Sequence, residues 1–371
     1  MKIKNARVFT ENGMFENRDV CVEGEYITEN SIHGKEWDAT GYYILPGLVD
    51  IHLHGCNGFD MSDGTMEAFD EIMEYEARSG ITAVCPAIAS VSEGQMSRVY
   101  HAIGNYNNDR GAYLTGVCME GPFLSRDCMG AQCKSYACKP NAAMFAKMQE
   151  NCRGLIRQVV VAPEEDVHME MIDAIHDQVI VSVGHTTCDY DMAAKAFSRG
   201  CSHVTHLYNA MNEYTHRDPG VVGAAADHEQ VYVELICDGI HNHPSVIRNT
   251  FRMFGKERVC MISDSIAISG LDSGVYKKGM QKLIVRGKRA VLDDGTLAGG
   301  MLNLMEMMLL CVQEFGVPLE TAVAAASLNP ARSLGIDRKF GSVTAGKYAN
   351  LVIMDENLKV IDVIVRGKRS I

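Results

Sequence analysis

Residues 48–54 read Leu-Val-Asp-Ile-His-Leu-His. The run is short, mostly apolar and β-branched in part, and it closes on two histidines two positions apart. On a strand, positions i and i+2 share a face, so His52 and His54 are expected on the same side. Seven further runs carry the theme along the chain: ITAVCPAIA (81–89), AYLTGVCME (112–120), RQVVVAP (157–163), VIVSVGH (179–185), SHVTHL (202–207), VYVELICDG (231–239) and RVCMISD (258–264). Several intervals have helical patterning, such as TMEAFDEIMEYEARSG at 65–80 and YDMAAKAFSRG at 190–200, the latter ending on Gly200 as an expected C-cap. Eight strands alternating with helices predict an α/β fold, a (β/α)8 TIM-like barrel over residues 46–339. No internal repeat supports a solenoid.

The ends of the chain read differently. ARVFT, DVCVEG and YIT in the first 45 residues alternate or are β-branched, and Glu11-Asn12-Gly13 is a turn signal. NLVIMD and KVIDVIVRGK near the C-terminus have the same character. Residues 1–45 plus 340–371 are expected to pair into one small β-sandwich domain beside the barrel. The insertion at about 124–141 makes a poor helix and a poor strand, and lies where a barrel would carry a lid or substrate loop.

The chain has 371 residues, with 35 Lys and Arg against 47 Asp and Glu, a formal net charge of −12. This balance argues against general nucleic-acid or anionic-membrane partners, both polyanions. A small anionic ligand would need a local cationic pocket. The longest apolar stretch, Met301 to Val312, is interrupted by Asn303 and Glu306 and falls short of the ~20 residues a membrane span requires. The N-terminal MKIKNARVFTENG has no apolar signal-peptide core. The 13 cysteines are scattered and odd in number, as expected of reduced thiols in a cytoplasmic protein. Cys128, Cys133 and Cys138 recur every five residues, which matches no common zinc or iron–sulfur pattern.

Chemistry in such a barrel belongs at the C-terminal ends of the strands. His52 and His54 close the first run, Glu120 the third, His185 the fifth, His206 the sixth and Asp264 the eighth, while His241 follows the seventh. Imidazole is a frequent ligand of divalent metals. A His-x-His pair alone also fits an ordinary core or surface position. Joined by Glu120, His185 and His206, it fits a hydrolytic metal site with an open position. Asp264 suits a general acid–base beside that metal, or a helix N-cap. Arg217 and His241 are candidate anion contacts; each also fits a surface charge or a satisfied polar contact.

The motifs resemble a known family. LPGLVDIHLHG (45–55) is similar to the first-strand signature of the amidohydrolase superfamily. MEGPFL, VGHT, THLYNAM, CDGIHNHP, ISDSIAISG and DGTLAGG resemble, in the same order, the motifs of the N-acetylglucosamine-6-phosphate deacetylase family. The resemblance covers nearly the whole chain. It implies a cytoplasmic, homodimeric, metal-dependent hydrolase that removes the acetyl group of an amino-sugar 6-phosphate, with part of the phosphate pocket shared between subunits. It implies Glu120, His185 and His206 as ligands of the main divalent metal and His52 and His54 as ligands of a second, with zinc favoured over iron, manganese or cobalt. The fourth strand, VVVAPEE, offers no lysine for carboxylation, which leaves Glu120 as the bridge. Asp264 resembles the catalytic acid–base. Asn209, Ala210, Arg217 and His241 resemble the sugar-phosphate contacts, and Leu297, Ala298 and Gly299 the border of the acetyl group. Ala131 and Gln132 stand where the family often has Ala-His; Gln132 can donate a hydrogen bond to the substrate carbonyl but carries no proton charge. The same superfamily motifs also serve D-aminoacylases and dihydroorotase-like cyclic amidases, and the galactose epimer of the substrate fits the same reading.

Overall fold

The structure is a computed structural model that describes residues 1–30, 35–278 and 281–369. Its centre is a ring of eight short parallel strands in chain order: β1 (Leu48–Asp50), β2 (Ile81–Val84), β3 (Val117–Glu120), β4 (Ile156–Val161), β5 (Ile180–Val183), β6 (Cys201–Val204), β7 (Tyr232–Ile236) and β8 (Val259–Ile262). β1 pairs with β2, the continuation of β2 at Ala87–Ala89 pairs with β3, and each later strand pairs with the next. The ring closes between β8 and β1 just past their ends. Asp264 N donates to His52 O at 2.9 Å, and His54 N donates to Ser265 O at 2.7 Å. The expected barrel is thus present, and its closure falls on the residues singled out for chemistry.

One helix follows each strand: α1 (Met66–Arg78), α2 (Glu93–Asn105), α3 (Ala142–Asn151), α4 (Glu170–Ile175), α5 (Tyr190–Ser198), α6 (Gly220–Asp227), α7 (Pro244–Phe254) and α8 (Leu304–Gln313). The sequence dictates these elements locally. Thr65 caps α1 by accepting from Ala68 N, and Phe69, Ile72, Met73, Glu76 and Ala77 recur at the three-to-four residue spacing of one buried face. Gly200 follows the end of α5 at a φ of +108°, the left-handed region where glycine has no Cβ penalty. The strands are buried on both faces, as parallel strands covered by helices must be, so they read as continuous apolar runs.

The two chain ends meet in one eight-stranded sheet. Leu351–Met354 pairs antiparallel with Tyr43–Pro46, and Lys2–Phe9 joins that strand on its other side. Alternation assigns the faces. Ile44, Leu351 and Ile353 point into a cluster of the sheet's own with Ile3, Val8, Val20 and Ile364. Leu45, Val352 and Met354 point into the barrel's apolar cluster. The small β unit therefore packs on the barrel through the opposite face of the same strands.

Two parts stand outside the alternation of strand and helix. An antiparallel hairpin sheet, Gly274–Lys278, Gln281–Arg286 and Arg289–Leu292, stands after β8; its Leu283, Val285 and Ala290 pack on Ile266, Ile268 and Met301. Residues 125–141 form only two short turns, Arg126–Cys128 and Lys134–Tyr136.

Glu76 is 1% exposed, and neither carboxylate oxygen has a hydrogen-bond partner among the described residues. Burial, with Asp50 and Glu306 nearby, pushes its carboxyl well above the ordinary range. A carboxyl raised in the folded state contributes stability below its unfolded pKa that is lost as pH rises toward the folded value. Glu76→Gln is therefore expected to stabilise the protein by about 1–3 kcal/mol at pH 8 and to change little at pH 4. Urea denaturation at the two pH values checks this; equal gains at both would contradict it.

Candidate active site

Five proposed ligands converge at the C-terminal mouth of the ring. Glu120 is 2% exposed at the end of β3. Its Oε1 lies 3.0 Å from His185 Nε2, 3.2 Å from His206 Nε2 and 3.3 Å from His52 Nε2. Its Oε2 lies 3.4 Å from His54 Nε2. Glu120, His185 and His206 form one group whose donor atoms all lie within 4.8 Å of one another, and His52, His54 and Glu120 form another.

The opposite ring nitrogens decide what the Nε2 atoms can do. His54 Nδ1 is 3.1 Å from Ala87 O, His185 Nδ1 2.7 Å from Cys128 O, and His206 Nδ1 3.2 Å from Asn209 O. His52 Nδ1 is 3.1 Å from Glu234 Oε2. Each partner is an acceptor, so each Nδ1 carries the hydrogen and donates it. In the neutral imidazole Nε2 then presents a lone pair. Four such lone pairs face one carboxylate, and the Nε2 atoms of His185 and His206 are only 3.0 Å apart. A buried divalent cation reconciles that arrangement, and the nitrogen–oxygen donor set suits one. His52 Nε2 is buried without a hydrogen-bond partner among the described residues, as expected of an atom whose partner is a metal.

Asp264 stands at the edge of this cluster. Its Oδ1 is 3.3 Å from His54 Nε2 and 3.8 Å from His52 Nε2, and its side chain remains 13% exposed. Against the burial that raises it, His54, His52 and His206 hold its carboxyl below the usual range, which keeps it a base. His185, His206 and Asp264 all leave their strands at positive φ (+47°, +31° and +47°). Such a conformation costs a non-glycine residue about 1–3 kcal/mol and persists where the surroundings enforce it. Here Gly300 N donates to Asp264 O at 2.7 Å. A Cβ at Gly299 would lie 2.9 Å from Asp264 O, and one at Gly300 would lie 2.1 Å from Ser263 O. Both glycines are required for this close approach.

The remaining candidates are placed unequally. Gln132 is half-buried, and its Nε2 donates to Glu120 Oε2 at 2.8 Å while its Oε1 accepts from Ser90 N at 2.7 Å. Its amide is thus engaged with a proposed ligand. Neighbouring Ala131 is also half-buried. Asn209 and Ala210 follow His206; Asn209 O receives the His206 ring, and its side-chain amide donates to Leu207 O at 3.1 Å. His241 Nδ1 donates to Asp238 Oδ2 at 2.6 Å. Burial opposes charge on His241, but Asp238 and Asp264 raise its pKa above the ordinary histidine value. Leu297 and Ala298 are half-buried beside buried Gly299, and Ala298 N donates to Ala290 O of the hairpin at 3.1 Å. Arg217 is exposed on the loop after β6, and its guanidinium makes no ion pair among the described residues.

Three buried polar residues beneath the site, Glu234, Gln158 and Asp50, lie inside apolar runs of the sequence rather than at their ends. Glu234, in the middle of β7, accepts from His52 Nδ1, from His206 N at 3.4 Å and from Gln158 Nε2 at 2.6 Å. Asp50 accepts from His52 N at 3.1 Å and from Ser263 N at 3.3 Å. Burial pushes Asp50 up to about 7 against those bonds. The available signal was a carboxylate inside an otherwise apolar strand, an expensive placement without a partner.

The amidohydrolase family profile matches residues 43–369, and the chain belongs to that family. Within it, the chain groups with the N-acetylglucosamine-6-phosphate deacetylases. It is 37% identical to the enzyme of that name from Bacillus subtilis, over 98% of this chain and 96% of the relative, and 31% identical to that from Lysinibacillus sphaericus, over 99% and 96%. A variant of the Mycobacterium smegmatis enzyme, solved with N-acetyl-D-glucosamine-6-phosphate, superposes with a TM-score of 0.92 at 26% identity, covering 100% of this chain and 99% of that one.

Glu120→Ala removes the carboxylate common to both groups. It is expected to lower bound divalent metal by at least about tenfold relative to wild type, read by elemental analysis after dialysis. Unchanged metal content would remove Glu120 from the site.

Proposed function

We propose that this chain hydrolyses the 2-acetamido group of N-acetylglucosamine 6-phosphate, giving acetate and glucosamine 6-phosphate in amino-sugar breakdown. The observation that carries the reading is the position of Asp264, a partly accessible carboxylate at the edge of a buried Glu120–imidazole cluster. The relatives' shared activity supports the substrate. Glu120, His185 and His206 would hold the main metal, and His52 and His54 with Glu120 a second; zinc suits these ligands. When bound, the metal polarises the acetamide carbonyl and makes water a stronger acid.

The chain's own residues supply the rest. Asp264, held ionised, accepts the proton of the attacking water through its carboxylate. It then delivers that proton to the amide nitrogen as the C–N bond breaks, because an unprotonated amine is a poor leaving group. Gln132 keeps Glu120 in place and has a second N–H for the acetyl oxygen. Leu297, Ala298 and Gly299 border the acetyl group, and Ala131, next to Gln132, is a further substrate contact. His241, favoured in its charged form by Asp238, contacts the phosphate with Asn209 and Ala210. Arg217 completes that clamp across a homodimer interface, which accounts for its exposure within one subunit. These contacts spend distant binding interactions on orientation at the carbon that reacts. The chain would divide into a catalytic barrel, 46–339, and a small β domain from 1–45 and 340–371, and would act in the cytoplasm. No helix among the described residues is long and apolar enough to cross a membrane.

The direct test is acetate release from N-acetylglucosamine 6-phosphate and its galactose epimer; turnover of neither would overturn the reading. Asp264→Asn is expected to keep its metal and lower kcat by about 10²–10⁴-fold. Near-normal turnover would exclude Asp264 as the proton carrier. Arg217→Ala is expected to raise KM for the phosphorylated sugar by about ten- to a hundredfold and to leave the unphosphorylated sugar unaffected. Equal effects on both sugars would show that Arg217 does not bind the phosphate.

A further inference from the structure

Three of the four imidazoles that face Glu120 lean on backbone carbonyls: His54 on Ala87, His185 on Cys128 and His206 on Asn209. His52 alone leans on a carboxylate, Glu234 Oε2 at 3.1 Å. Glu234 is completely buried in the middle of β7. Its other oxygen accepts from Gln158 Nε2 on β4 at 2.6 Å, and no lysine or arginine pairs with it among the described residues. A buried carboxylate without a cationic partner is costly. A glutamine there would fill the same volume and still accept a hydrogen bond from His52. The charge itself therefore needs an explanation.

We propose that Glu234 is a positioning residue that acts through His52 on metal retention. Resting on the metal-dependent reading above, this inference assigns the pocket of His52, His54 and Glu120 its dominant support. The carboxylate fixes the His52 tautomer with hydrogen on Nδ1, aims Nε2 at the pocket and increases the electron density of that lone pair. The same oxygen lies 3.4 Å from His206 N, so one side chain also steadies the backbone of a ligand from the other group. A cation held by His52 would offset the negative charge of Glu234 across the imidazole ring, where no basic side chain pairs with it among the described residues. His52 and Glu234 are 182 residues apart in the chain and meet only through closure of the barrel.

The test compares loss of zinc to a chelator, in the absence of substrate, for wild type, Glu234→Gln, His52→Ala and the double variant. Glu234→Gln is expected to lose zinc about 10- to 100-fold more readily than wild type, and to have a much smaller effect in the His52→Ala background, where only the contact with His206 N remains. A swap, Glu234→Gln with Gln158→Glu, keeps the buried amide–carboxylate pair and the net charge but takes the carboxylate away from His52. The swap is expected to lose zinc as readily as the single variant, and it carries the test should the single variant not fold. Zinc retention equal to wild type in Glu234→Gln or in the swap would overturn the inference, as would an undiminished effect of Glu234→Gln in the His52→Ala background. Wild-type protein that binds no divalent ion would instead overturn the metal-dependent reading itself.

Discussion

Every feature of the site depends on one constraint: four imidazoles are held by their Nδ1 hydrogens, so that four Nε2 atoms turn toward the same carboxylate. Each Nδ1 partner comes from a different part of the chain: Ala87 past β2, Cys128 on the loop after β3, Asn209 past β6 and Glu234 within β7. Tautomer choice is thus a property of the closed barrel. Removing the barrel removes the convergence, and without a cation the convergence is unfavourable. Fold and site stabilise one another through this arrangement.

The closure of the ring shows the link in detail. The seam between β8 and β1 has no regular ladder. It is made by Asp264 N to His52 O and His54 N to Ser265 O, with Asp50 accepting from Ser263 N below. The residues that shut the barrel are therefore the proposed acid–base, two proposed ligands and their immediate neighbours. Gly299 and Gly300 press against the same seam and fix Asp264 in its left-handed conformation. A strained conformation at this point is maintained by contacts from an element outside the ring.

Much of this was legible in the sequence for a physical reason. Parallel strands covered by helices are apolar on both faces, so a polar residue at the end of such a run stands out. His52, His54, Glu120, His185, His206 and Asp264 were all visible that way, and the structure gathers them. The strands of the chain ends were visible as β-branched, apolar runs; Leu351 to Met354 is apolar at every position because its two faces serve two apolar clusters. Glu234 and Asp50 were harder to see because they lie inside apolar runs, and their partners are brought close only by the closed ring. The hairpin at 274–292 was missed since its strands follow β8, where the barrel pattern is already complete. Gln132 was read as a donor to substrate; its contacts with Glu120 and Ser90 depend on how the loop after β3 folds back, which no local pattern encodes.

On this geometry the imidazole lone pairs would meet on a metal ion. Anomalous X-ray scattering from crystals of protein purified without chelators, collected on both sides of the absorption edge of the bound metal, tests it most directly. A strong peak enclosed by Glu120, His185 and His206 is expected. Featureless anomalous density there, with the ring nitrogens bonded to ordered water, would contradict it.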